Sequence, residues 1–440
     1  MRTAFFLLFI ASVFCSSGGR AQSAMVLEGA VVFDGVASRP QKNSIIVVEH
    51  GRITGFGPRK EVIIPEGAKR MNLRGKFVIP GLIDGNVRYG SPRDLLQMLA
   101  WGVTSVNCMF ESAAGAAEME RWTRQDTARS PQIYATAPIF SAERGLRSGE
   151  AFPVDSVLNR FPATPEEART AVRKARTAGA RRIMILYDPM DWCCDSLPRM
   201  RKDVIEAIID EAWKQNLFTS VDAPKLADAR EALEAGAMSL VRGVLDEYLD
   251  ASPVNTLLTR NDYYVPTISS FEFIADPQAF MKRVLADKRF RASLPASAVK
   301  EFSSPAYYEK IKAQYPNGSF VRSHLTALRD NVLSLVRNYV LVVMGTDLAA
   351  LPGIGAHLEL EYMVQAGMSP YQALVSATTF GGQYLGAATK VGTIEIGRQA
   401  DLVILDADPV ADIRNTRSIN TVIKHGKIFD PKQLLKAAKQ

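Results

Sequence analysis

From residue 80 to residue 389, short apolar, β-branched runs alternate with longer amphipathic stretches, and this alternation restricts the fold more than any other feature. Apolar runs that are each followed by a helix-length segment read as parallel strands covered by helices on the outside. They are the segment after Pro80, then GVTSVNCMF (102–110), QIYATAPIF (132–140), RRIMILYD (181–188), LFTSVDA (217–223), AMSLVRG (237–243), YYVPTIS (263–269) and YVLVVMGTD (339–347). Eight such strands predict an α/β chain of the (β/α)8, or TIM barrel, type over 80–389, with function at the C-terminal ends of the strands. One helix start is explicit: Thr164-Pro165-Glu166-Glu167 supplies a cap, a first-turn proline and acids at the positive helix end. The long segment 270–338 reads as mostly helical, an insertion over the barrel mouth.

Both flanks of the barrel carry shorter strands punctuated by glycine: MVLEGAVVFDG, NSIIVVEHGRITGFG and MNLRGKFVIP before it, GTIEIGRQADLVILDADP and INTVIKHGKIFD after it. Periodicity establishes the strands but not how they pair.

The stretch FVIPGLIDGNVRYG (77–90) joins the first flank to the barrel. Alternate residues of a strand share a face, so Asn86 and Arg88 look together toward the strand's end. The stretch resembles the first barrel strand of the amidohydrolase superfamily, where PGLID-x-His-x-His supplies two metal-binding imidazoles. The GTD at 345–347, ELEYMVQAGMSPYQALVSATT (359–379) and GRQADLVILDADP (397–409) extend the resemblance over nearly the whole chain. It is nearest the secreted imidazolonepropionase-like or prolidase-like branch. The resemblance implies one small β-sandwich built from both chain ends (22–79 with 390–440) beside the barrel. It also implies hydrolysis of amide or other C–N bonds by a metal-activated water.

Carried over residue by residue, the metal site is degenerate. Asn86 and Arg88 stand for the two histidines of the first strand, and Met184 for a bridging lysine. Asp222 and Arg242 stand for later histidines, and Asp347 matches the acid that serves relatives as ligand and general base. Trp213 also occupies a place where relatives often show histidine. A catalytic zinc normally takes about three protein ligands, and a guanidinium has no lone pair to give. The expectation is therefore no metal cofactor; the alternative is a single divalent ion such as zinc. Two arginines and two acids around one cavity predict an ion-pair cluster, with one arginine on Asp347 and the other on Asp222. In the competing arrangement the arginines snorkel out of the mouth. Three functions follow: a non-catalytic binding or partner subunit, a C–N hydrolase with an atypical site at Asp347 and Asp222, or a carrier of a small anion held by Arg88 and Arg242. The subunit reading implies self-association or pairing with an active relative.

Other reactive groups carry less. Cys108 is expected to be a buried, inert thiol. His357 is either an acid–base group over the pocket or a residue near a helix start, and Tyr187 with Asp188 either line the pocket or pack. His324 reads as a surface residue, and His50 and His425 belong to the flanks. Arg2, the apolar AFFLLFIASVF and the small residues Gly19 and Ala21 read as an export signal over 1–21, placing the mature chain in a periplasmic or extracellular space with no permanent membrane anchor. Cys108, Cys193 and Cys194 then remain, an odd count that argues against a disulfide framework. The net charge of +7 is dispersed, and its densest run, 167–183, lacks interleaved aromatics, so no nucleic-acid partner is expected.

Overall fold

A computed structural model of the chain describes residues 24–88, 91–109, 113–125, 129–145 and 161–439. The expected signal segment, 1–21, lies outside the described residues. The first flank forms β1 (Met25–Val32), β2 (Gln41–Glu49), β3 (Arg52–Pro58), β4 (Lys69–Asn72) and β5 (Phe77–Pro80). The barrel strands are β6 (Leu82–Val87), β7 (Val103–Met109), β8 (Gln132–Thr136), β9 (Ile139–Phe140), β10 (Arg182–Leu186), β11 (Phe218–Asp222), β12 (Ser239–Val241), β13 (Tyr263–Val265) and β14 (Leu341–Val342). The last flank adds β15 (Leu402–Leu405), β16 (Ile419–Lys424) and β17 (Lys427–Phe429).

All barrel pairs are parallel, β6-β7-β8 on one path and β9 through β14 on the other. The third stave is split at Ala137-Pro138, because proline has no N–H for the ladder; β8 pairs with β7 and β9 with β10. The two paths close on each other: Gly85 N donates to Met344 O (2.8 Å) and Asp347 N to Asn86 O (2.8 Å). The fold is thus a (β/α)8 barrel. Two glycines permit the seam. A Cβ on Gly85 would lie 2.9 Å from Val343 Cγ1, and one on Gly345 would lie 2.4 Å from Val265 Cγ1.

The chain ends share one eight-stranded sheet, ordered β17-β16-β15-β5-β1-β2-β3 with β4 on β1. Pairing of β15 with β5 joins residues more than 300 positions apart. One face holds a separate apolar core that includes Leu27, Ile46, Val78, Leu402 and Ile423. Between β13 and β14 the chain is helical, as expected, ending in the helix Gly318–Arg337. Asn317, which precedes it, donates through Nδ2 to the carbonyls of Asp191 and Cys194, tying the insertion to the loop that follows β10. No helix among the described residues is long and apolar enough to cross a membrane.

Candidate functional site

At the C-terminal end of the barrel, side chains from four strands meet. Asp222 closes β11, Arg242 follows β12, Asp347 follows β14 and Arg88 follows β6. A single nitrogen of Arg242, Nη2, lies 2.9 Å from Asp347 Oδ2 and 3.3 Å from Asp222 Oδ2. Arg88 Nε reaches the other oxygen of Asp347 at 3.4 Å. Arg242 therefore bridges both acids, where one arginine per acid had been expected. Its side chain is only 10% exposed, against 28% for Arg88, so Arg242 carries the buried charge and Arg88 the rim.

The backbone is bent to achieve this. Arg242 (φ +72°) and Asp347 (φ +43°) both adopt the left-handed region, rare for side-chain-bearing residues and worth about 1–3 kcal/mol of strain apiece. Asp84, from the PGLID segment, holds the Asp347 turn. It accepts from Thr346 N (3.0 Å), Thr346 Oγ1 (2.8 Å) and Asn86 N (3.1 Å). Burial nevertheless pushes its carboxyl up to about 7. Sequence reasoning gave Asp84 no role, although it is the polar residue of the PGLID run itself.

A fifth charged group belongs to the cluster. Asp188, just past β10, is buried and accepts from Trp192 Nε1 (2.9 Å) and Met190 N (2.8 Å). The Trp192 ring, fully buried, stands 5.5 Å from the Arg242 guanidinium. Nothing in the sequence marked Trp192 beforehand. Among the described residues, three carboxyls thus face two guanidiniums. Desolvation raises Asp222 to about 7, with Asp188 and Asp347 adding to the rise and Arg242 and Arg88 opposing it. Asp188 is also raised by burial, against the pull of Arg242. A proton held among these three acids offsets the excess of carboxyls over guanidiniums among the described residues, which a dry site favours.

Asn86 lies beside this cluster, and its Oδ1 and Asp222 Oδ1 are buried without a donor among the described residues. Met184 sits lower. It pairs in register with Ser220, two residues before Asp222, and joins Ile83, Ile139, Val265 and Val343 in the apolar barrel interior. Two residues for which pocket lining was one of two readings are turned elsewhere. Tyr187 points into the helix layer, where its hydroxyl meets Glu231 and Arg199 covers its ring. A residue one step past a strand takes the opposite face from Leu186, so it packs rather than lines the pocket. His357 is fully buried between Trp101 O (3.0 Å) and Thr416 Oγ1 (2.9 Å), and desolvation drives it down to about 3, so it stays neutral. It is a structural histidine away from the cluster. His324 stacks on Phe320 along its helix, and Cys108, Cys193 and Cys194 are buried free thiols. Trp213, 76% exposed on the helix Lys202–Lys214, lies at the other end of the barrel.

This donor set does not fit a divalent metal. Among the described residues no three histidine, cysteine or acidic side chains are placed to hold one. A zinc–oxygen bond is about 2.0–2.2 Å long, and the approach to both acids is taken by Arg242 Nη2. A divalent ion at about 4 Å from that guanidinium would be repelled by roughly 8 kcal/mol at an effective dielectric of about 20.

The model of the amidohydrolase family matches residues 68–429, and the chain belongs to that family. Over 405 residues it is 24% identical to the imidazolonepropionase of Pseudomonas savastanoi pv. phaseolicola, covering 84% of this chain and 90% of the relative. Among solved structures, a Xaa-Pro dipeptidase with bound methionine in the active site superposes with a TM-score of 0.74 at 21% identity, covering 93% of this chain and all of that one. A putative prolidase from Bifidobacterium longum superposes with a TM-score of 0.73 at 23% identity, covering 96% and 100%. At these identities the structures establish the shared fold.

Proposed function

We propose that this amidohydrolase-family chain has exchanged a metal for an internal arginine and acts as a non-catalytic binding subunit, exported from the cytoplasm. The observation that carries the reading is Arg242 Nη2 within hydrogen-bond reach of both Asp347 and Asp222. A guanidinium there supplies a fixed positive charge between the acids but cannot bind and ionise a water as a metal does. What the mouth offers a ligand is acceptors, the undonated Asn86 Oδ1 and Asp222 Oδ1. A small molecule bearing N–H or O–H groups satisfies them, whereas an anion must compete with two carboxylates for Arg242. The partner is a second copy of the chain or an active relative.

A thermal-shift screen of small amides, dipeptides and carboxylates, run beside a hydrolysis assay of the same compounds, tests the reading. A compound that raises the Tm of the wild type but not of Asn86→Ala, and is recovered intact, is the expected result.

One observation favours a second reading, hydrolysis of a C–N bond without metal: the Asp222 carboxyl, near 7, suits proton transfer at neutral pH. The names of the relatives, imidazolonepropionase and Xaa-Pro dipeptidase, belong to that class. Turnover in the assay that disappears in Asp222→Asn would replace the first reading with this one.

A further inference from the structure

The opposite end of the barrel holds a cavity of about 700 Å3, lined by residues at the starts of strands rather than their ends. Arg182, Phe218 and Tyr263 are the first residues of β10, β11 and β13, so this cavity and the Arg242 cluster lie at opposite ends of the barrel. Its charge is unbalanced. Arg124 is answered by Glu120 (3.0 Å) and Arg260 by Asp262 (2.6 Å). Exposed Arg181 and Lys390 have no acid against them among the described residues. Arg182 is buried, donating from Nη1 to Tyr384 O (2.7 Å) and from Nε to Thr136 Oγ1 (3.4 Å). Its Nη2 meets no acceptor among the described residues, although a buried charged donor without one is costly.

The walls are aromatic as well as cationic. Phe218 and Tyr384 lie against the Arg182 guanidinium at 3.9 and 4.5 Å. Trp213 extends the lining and, among the described residues, is the most exposed large aromatic side chain apart from Tyr339. An exposed indole beside unanswered cations is expensive to leave in water and useful against a flat ligand. A bare inorganic anion would leave most of the volume and the whole aromatic wall unused, and the volume falls in the range of small-molecule sites.

We propose that this basal cavity is a second binding site, for a small organic carboxylate that carries an aromatic group. The carboxylate lies toward Arg181, Arg182 and Lys390, and the ring lies against Trp213.

Calorimetric titration of the full chain with 1-naphthoate, followed also by tryptophan fluorescence, tests this. Stoichiometric binding is expected, with a fluorescence change that Trp213→Phe removes. The affinity should fall at least about tenfold, or 1.4 kcal/mol, in Arg181→Ala/Lys390→Ala, whose replaced side chains are exposed, and stay unchanged in Arg88→Ala. Uncharged 1-naphthamide and inorganic phosphate should each bind at least about tenfold more weakly. Absent binding, binding undiminished in the double variant, binding lost in Arg88→Ala, or phosphate and naphthamide matching naphthoate would each overturn the proposal.

Discussion

Arg242 and Arg88 both reach Asp347, yet the structure gives them unequal weight. Arg242→Ala strips two buried acids of their shared partner and is expected to cost about 3–5 kcal/mol in a denaturant melt. Adding Asp347→Asn should recover part of that loss. Arg88→Ala, 28% exposed at the rim, should cost less than Arg242→Ala, about 1 kcal/mol. Equal losses would mean that both arginines are buried in solution. A pH dependence follows from Asp222. Its carboxyl ionises near 4 in an unfolded chain and near 7 here, so the folded state holds a proton that the unfolded state has released. Ionising it works against the fold, and its contribution to stability should decline from about pH 4 to about pH 7, then level off. Urea midpoints at pH 5 and pH 8 measure this, and Asp222→Asn should flatten the difference. The ion-pair cluster was legible because charges at strand ends have one cavity to enter. That Arg242 alone would bridge both acids was not legible, since it depends on left-handed backbone that non-glycine residues rarely adopt. Tyr187 and His357 each had two readings open, and the structure settles both away from the mouth: Tyr187 alternates outward after Leu186, and His357 is buried in the helix Ile354–Gln365.

The elements themselves read well from the pattern. All eight strand signals became staves, and the helical insertion fell where it was expected. What the pattern lacks is the seam, where β14 is only two residues long and closure rests on hydrogen bonds outside the regular ladder. Gly85 and Gly345 let the backbones approach there. Gly85→Ala is expected to cost about 1–3 kcal/mol through overpacking against Val343 and Met344. A stability change within experimental error in Gly85→Ala would show that the seam yields without penalty. Asp84 acts at the same seam through Thr346, which gives the aspartate of PGLID a structural task of its own.

At the scale of the whole molecule, the two chain ends depend on each other. β15 fills the place beside β5, and Lys424 pairs with Asp401 at 2.5 Å with both side chains almost completely buried. A chain ending at residue 400 loses β15, β16 and β17 from that sheet and is expected to be insoluble or to expose apolar surface to a hydrophobic dye. The pairing of the ends followed from the family resemblance, because the period of a strand carries no information about a partner hundreds of residues away. The chain keeps an amidohydrolase-family barrel, and the proposed function rests on Arg242 standing between two acids at its mouth in place of a metal. Elemental analysis of the purified full-length protein, after equilibration with zinc, manganese or nickel and removal of free ions, tests that replacement directly. The account predicts far less than one ion per chain in the wild type and in Asp347→Ala alike; about one ion per chain in the wild type, lost in Asp347→Ala, would contradict it.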